Sequence, residues 1–270
     1  MTFLHAFLLG ILQGLTEFIP VSSTAHLLIG QKLLGIPASD ATFSFLVLIQ
    51  IGTILSLIVY FYKDLREIAK AMLKNPFAKS PDSLTRLGWY LLIATIPALI
   101  AGVLLKDALE ALFKTPLIEA SIRLFAAAIL MSLAEWLGKR TRKLENMTWL
   151  DALFIGMMQV IAIFPGASRS GTTISAGMFR GFDRPSAARF AFLMSVPVML
   201  AAGAYESLDL LKMPNLGSFL PLLAVGFITA AVVGWLAIKW LLNYLNKNSL
   251  YLFAIYCALL GLLVLLVQVV

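Results

Sequence analysis

Charge is scarce in this chain. Only 13% of its 270 residues are Asp, Glu, Lys or Arg, against 60% hydrophobic. A soluble domain carries about a quarter charged residues, so the composition excludes one. Cysteine is scarcer still. Cys257 stands alone, which excludes an internal disulfide and a thiolate metal cluster. Histidine occurs twice, as His5 and His26, so nothing downstream of His26 can supply a second catalytic imidazole. No basic stretch precedes the first apolar run, and no cleavable signal peptide is expected. Acidic residues are outnumbered 14 to 21, for a net charge of +7. In a soluble protein that excess would point to nucleic acid. Here it fits loops held at an anionic membrane face.

What is present in excess is apolar sequence. About 20 such residues span a bilayer as a helix. Candidate spans fall at 42–62, 87–105, 117–137, 187–206, 218–242 and 249–269. The basic residues are distributed unevenly between them. Lys63, Arg66, Lys70, Lys74, Lys79 and Arg86 follow the first span, and Lys139, Arg140, Arg142 and Lys143 follow the third. Arg180, Arg184 and Arg189 precede the fourth, and Lys239 and Lys247 separate the fifth from the sixth. The opposite side holds Lys32, Lys106, Lys114 and Lys212. Lys and Arg are retained in the cytoplasm, so the richer face is inside and both termini are outside.

Two stretches resemble each other. Gly10-Ile-Leu-Gln13, Phe18 and Pro20-Val-Ser22-Ser23-Thr24 match Gly156-Met-Met-Gln159, Phe164 and Pro165-Gly-Ala-Ser168-Arg169-Ser170. Each predicts a short helix, a Pro/Ser break and a returning helix, over 3–18 and 24–35, then 150–164 and 170–180. Pro20 and Pro165 remove a donor and disfavour helix at the preceding residue. Ser and Thr after the break are good N-caps. Such segments read as re-entrant hairpins; the alternative is a pair of amphipathic surface helices with loops. Three full spans lie between them, so the second copy is inverted and the two tips can meet at mid-membrane. The expected fold is all-α and polytopic, with six transmembrane helices and two re-entrant helical hairpins in an inverted repeat. It forms one membrane domain, 1–270. Its halves, 1–137 and 150–270, are joined by a basic cytoplasmic loop at 138–149.

The polar residues of the chain concentrate at the two tips. An ionisable group at that depth is costly and functional by default. Glu17 is the one acid expected deep in the apolar layer, four residues after Gln13 on the same helical face. It could bind a divalent cation together with substrate oxygens, or pair structurally with Arg169. His26 follows Ser23 by three residues, so both can face one side of the returning helix. Arg169 offers a planar fork matched to phosphate, or could snorkel to the surface from a span end. With the helix start, Ser22, Thr24, Ser168, Ser170, Gly171 and Thr173 make an anion cradle. Phosphoryl transfer needs neutralised charge, a nucleophile and a proton carrier. Arg169 and a cation on Glu17 could neutralise, Ser23 could attack, and His26 could move the proton.

The run Glu17-Phe-x-Pro-Val-Ser22-Ser23-Thr-x-His26 resembles the first motif of the undecaprenyl-diphosphate phosphatase family, the bacitracin-resistance type. Pro-Gly-x-Ser168-Arg169-Ser170-Gly-x-Thr173 resembles its second. The similarity extends over the whole chain. It implies hydrolysis of undecaprenyl diphosphate to undecaprenyl phosphate, which recycles the lipid carrier for peptidoglycan synthesis. It also implies a divalent cation, Mg2+ or Ca2+, and a site reached from the outer face of the bacterial plasma membrane. By the same match, Glu17, Ser22, Ser23, His26, Ser168, Arg169 and Thr173 are site residues, with Ser23 the nucleophile in preference to Ser22. Gln13 stands where family members can carry a second glutamate, and its role as a ligand stays open. So does the oligomeric state, a homodimer included.

Two other classes compete. Histidine-nucleophile lipid phosphatases need a second histidine downstream, which this chain lacks. A secondary transporter or polyprenyl-phosphate flippase could use the same inverted-repeat cavity, since fold does not fix function. The topology is testable directly. With Cys257 replaced, cysteines placed at either terminus should react with an impermeant thiol reagent in intact cells, and cysteines in 63–86 should not. Labelling of that loop contradicts the inverted arrangement.

Overall fold

The computed structural model describes residues 1–74, 76–105, 117–162, 167–210 and 216–269. Among these every regular element is a helix, apart from an isolated bridge between Arg142 and Phe182. The first half comprises α1 (Phe3–Phe18), α2 (Ser23–Leu33), α3 (Asp40–Tyr60), α4 (Tyr62–Lys74), α5 (Ser83–Leu104) and α6 (Leu117–Leu137). The second half has α7 (Trp149–Ile161), α8 (Arg169–Phe179), α9 (Arg184–Leu210), α10 (Leu216–Leu245) and α11 (Tyr251–Val269). A 3-10 turn at Leu144–Asn146 lies between them. Each of the six expected spans coincides with a helix. Ala41–Tyr60, Ser83–Leu104 and Phe219–Leu245 are long and apolar enough to cross a membrane.

The repeat holds at the level of individual caps. Thr2 closes a capping box on α1 with His5, and Thr148 closes one on α7 with Asp151. Each pair satisfies amide groups that a helix start leaves without an intrahelical partner. The hydroxyls of Ser22 and Ser168 cap α2 and α8. This is why these helices begin at Ser23 and Arg169, one residue before the expected starts; they end at Leu33 and Phe179. Just beyond each lies a glycine in the left-handed region, Gly35 at φ 63° and Gly181 at φ 84°, where a side chain would strain the backbone. The Pro165–Gly166 break, and Lys106, Lys114 and Lys212, lie outside the described residues.

Packing crosses between the halves. α1 lies on α10, and its counterpart α7 lies on α5. Small residues allow the backbones to approach, as in other membrane helix pairs. A Cβ on Gly10 would lie 2.7 Å from the carbonyl oxygen of Gly226, and one on Gly14 would lie 2.8 Å from the nitrogen of Gly234. Gly156 is pressed in the same way against the backbone of Ala94. α6 pairs with α11, and α3 packs against both α9 and α10. One expectation needs correction. The stretch 63–86, read as loop, opens with helix α4, because Ile68 and Met72 bury themselves over Gly88 of α5. Its Lys63, Arg66, Lys70 and Lys74 are left exposed.

Two further carboxylates are buried, both near helix ends as the sequence places them. Asp151 and Glu135 sit at helix ends and are buried in protein, each between two arginines. Arg142 Nη2 and Arg180 Nε both lie 2.6 Å from the Asp151 carboxylate. Arg184 Nε (2.7 Å) and Arg140 Nη1 (2.8 Å) hold Glu135, which also accepts from the backbone N–H of Leu250. Burial would raise the Asp151 carboxyl. Hydrogen bonds from Arg142, Arg180 and Thr148 outweigh it and hold the group far below the usual carboxylate range. Its folded value lies below its unfolded one, so the stability it contributes is present at neutral pH. It is lost as pH falls below about 4. Asp151→Asn leaves two arginines facing each other over a neutral amide and should cost about 3 kcal/mol. A melting temperature several degrees lower in detergent is expected; an unchanged one contradicts this role for the cluster.

Candidate functional site

The first tip is built by a chain that cannot continue as helix. α1 ends at Phe18, Ile19 is extended, and Pro20 follows. Ser22 then adopts φ 71°, which is uncommon for a residue other than glycine and marks a constrained turn. Its hydroxyl accepts from the N–H of Ala25, so α2 begins at Ser23. Glu17, the penultimate residue of α1, therefore faces the first residue of the returning helix.

Glu17 is the centre of the arrangement. One carboxylate oxygen accepts from Ser23 Oγ at 2.7 Å and from the Gln13 amide at 2.9 Å. The other accepts from Arg169 Nη2 at 2.5 Å, across 152 residues of sequence. The carboxylate is buried and the guanidinium largely so. Both tips thus meet at one acid, as the inverted reading expects. The pair with Arg169 forms directly, and it joins the two halves. Ser23 and Arg169 are each the first residue of a helix, so two N-terminal dipole ends converge where Glu17 holds a negative charge.

The remaining expected residues divide into two groups. Ser168 caps α8 through the N–H of Gly171 at 3.1 Å, and Ser170 Oγ lies 3.4 Å from the carbonyl oxygen of Ile19. Gly171 packs closely against both tips: a Cβ there would lie 3.0 Å from Ser168 Oγ and 3.4 Å from Pro20 Cβ. Thr24 is half-buried in the first turn of α2. Thr173 instead turns back, its hydroxyl donating to the carbonyl of Arg169 in its own helix at 2.8 Å.

His26 departs from expectation. Its Nδ1 lies 2.8 Å from the carbonyl oxygen of Ser22, and its Nε2 lies 2.7 Å from Tyr256 Oη. Both ring nitrogens are engaged, and neither bond goes to Ser23. The proton acceptor against Ser23 is Glu17. The spacing of three did bring His26 to the site, but the turn at Ser22 presents a carbonyl to the ring and sends Ser23 back toward α1. Tyr256 was not legible beforehand. Its only signal was a polar tip within the apolar run of α11.

A cation could be held by Glu17 with Gln13. The Gln13 Oε1 atom is buried without a hydrogen-bond partner and lies on the Glu17 side of α1. Among the described residues no group of three or more His, Cys, Asp or Glu could enclose a metal. One carboxylate and one amide oxygen suit a cation that keeps water and substrate oxygens, as magnesium does. Calcium, which takes about six to eight oxygen ligands with waters among them, would need more of its shell from water and substrate.

Residues 6–263 match the family described as bacitracin resistance protein BacA. The chain belongs to that family. It is 42% identical to an undecaprenyl-diphosphatase of Chlorobium phaeovibrioides over 278 residues, covering 98% of this chain and 97% of the relative. It is 38% identical to an undecaprenyl-diphosphatase of Syntrophobacter fumaroxidans, covering 97% and 95%. With one from a Mycobacterium species, strain KMS, identity is 39% over 98% and 96%. The matched stretch, 6–263, contains Glu17, Ser23, His26, Arg169 and Tyr256.

Proposed function

We propose that this chain is an integral-membrane phosphatase that hydrolyses undecaprenyl diphosphate to undecaprenyl phosphate and inorganic phosphate, recycling the lipid carrier for peptidoglycan synthesis. The observation that carries this reading is the hydroxyl of Ser23 held 2.7 Å from a carboxylate, at a point where an arginine and two helix N-termini converge. A transporter needs groups that bind its cargo. It has no use for a hydroxyl poised against a base. In the same reading the six spans carry both termini outside and the two hairpins dip in from opposite faces. The site then opens to the outer face of the bacterial plasma membrane. The uneven distribution of Lys and Arg supports this orientation, and the mirrored capping of the hairpins supports the inversion.

The reaction follows from the contacts. Ser23 Oγ attacks the terminal phosphorus as its proton passes to Glu17. The new O–P bond forms while the bridging O–P bond breaks, and its electron pair leaves with undecaprenyl phosphate. Water then releases phosphate from Ser23, which recovers its proton. Arg169 stabilises the phosphoryl oxygens through its planar fork, which requires it to share or leave Glu17 when substrate binds. Ser168, Ser170 and the first amides of α8 complete the cradle. Glu17 and Gln13 are the residues that would hold a divalent cation, and what it would supply is neutralisation of diphosphate charge. That replaces the assignment of the Ser23 proton to His26.

The purified protein in detergent should release inorganic phosphate from undecaprenyl diphosphate, which transport alone cannot do. Ser23→Ala should lower turnover about a hundredfold or more, equivalent to about 2.7 kcal/mol of barrier, while lipid diphosphate still binds. Ser22→Ala, which removes a cap, should cost less. No phosphate release by the wild type removes the phosphatase reading. Substantial turnover by Ser23→Ala keeps that reading and assigns the attack to another group.

A further inference from the structure

His26 is held from both sides, and this fixes where its proton lies. A backbone carbonyl can only accept, so the 2.8 Å contact with the Ser22 carbonyl places a proton on Nδ1. In the neutral ring Nε2 then carries the lone pair, and the Tyr256 hydroxyl donates to it at 2.7 Å. The aim of the Ser22 carbonyl depends on the same uncommon backbone geometry that starts α2. That carbonyl also accepts the main-chain N–H of His26 at 3.2 Å. The two rings lie nearly parallel, 11° apart, with centroids separated by 5.6 Å.

Tyr256 comes from α11, 230 residues away in sequence. The neighbouring Cys257 is buried with Sγ 3.7 Å from the Pro20 carbonyl oxygen, so α11 contacts the first tip at two successive residues. His26 is 9% exposed and Tyr256 is 44% exposed. The pair therefore joins the buried tip to an exposed side of α11. Ser23, meanwhile, is committed to Glu17 on the other side.

We propose that Tyr256 is a positioning residue of this site. Its hydroxyl holds His26 as the Nδ1-protonated tautomer, with Nε2 the accepting atom. The assignment rests on the phosphatase reading above. So arranged, Nε2 is the ring atom open to a proton, and a protonated ring keeps both partners, donating to the Ser22 carbonyl and to the Tyr256 oxygen.

Tyr256→Phe keeps the ring and removes the one hydrogen bond. Its kcat for phosphate release should fall about tenfold or more with KM within about twofold, the pattern of a group that acts after binding. In a His26→Ala background the same change should alter kcat less than about twofold, because Tyr256 acts through the imidazole. A wild-type kcat in Tyr256→Phe overturns the proposal. So does an equal loss in both backgrounds, which marks a packing role. If Tyr256→Phe does not purify folded, the nitrogen-15 spectrum of His26 in the wild type decides, with His5 replaced. A proton on Nδ1 and none on Nε2 is expected, and the opposite tautomer overturns the proposal. A wild type that releases no phosphate removes the phosphatase reading itself. Turnover by the wild type matched by Tyr256→Phe removes the assignment of Tyr256 alone.

Discussion

A carboxylate and a guanidinium placed at the meeting point of two hairpins cannot stand singly. Removing either from water costs several kcal/mol, and the loss is recovered only by good geometry and further hydrogen bonds. Glu17 has both. It receives Arg169 on one oxygen and Ser23 and Gln13 on the other. This makes the acid the common terminus of three side chains from two halves of the chain. The tips must therefore be ordered together. Neither hairpin alone can satisfy the charge it carries inward.

The interlocked helices are what make that meeting possible. Each hairpin's first helix rests on a long helix of the opposite half, α1 on α10 and α7 on α5. The close approach at Gly10, Gly14 and Gly156 sets how deep each helix lies. The two halves share architecture but divide the chemistry. The repeat that matches Gln13 to Gln159 and the start of α2 to that of α8 sets Ser23 opposite Arg169 and His26 opposite Thr172. One half brings the acid, the hydroxyl and the imidazole. The other brings the cation that an anionic substrate needs. A symmetric frame thus encloses an asymmetric site. The charged clusters around Asp151 and Glu135 lie at helix ends, where buried carboxylates tie α6, α7, α8 and α9 to neighbouring loops.

Much of this could be read from local sequence, because the devices involved are local. Pro20 stops α1 and serines cap the returning helices; both are properties of a few adjacent residues. Charge at depth left two partners open for Glu17, a cation or Arg169, and the direct contact is with Arg169. What escaped was set by side-chain direction and distant contact. The three-residue spacing suggests that Ser23 and His26 share one side of α2, yet they engage different helices. Ser22, in the left-handed region, then gave the imidazole a backbone partner and turned the hydroxyl to Glu17. Tyr256 was invisible because a tyrosine in an apolar helix is ordinary. Its role exists only through a contact across 230 residues. Helix α4 was hidden by its charge, since Ile68 and Met72 are a narrow apolar stripe in a basic segment.

The central claim is that the tips of the two halves touch, and proximity at Pro20 and Gly171 offers a direct measurement. A Cβ at Gly171 would lie 3.4 Å from that of Pro20, close to the roughly 3.5–4.5 Å that a disulfide bridges. In a Pro20→Cys/Gly171→Cys variant, with Cys257 replaced and a protease site placed in 138–149, oxidation followed by cleavage should leave the halves joined until a reductant is added. Halves of a folded, oxidised sample that separate without reductant would show that the tips do not meet, and the shared site would go with them.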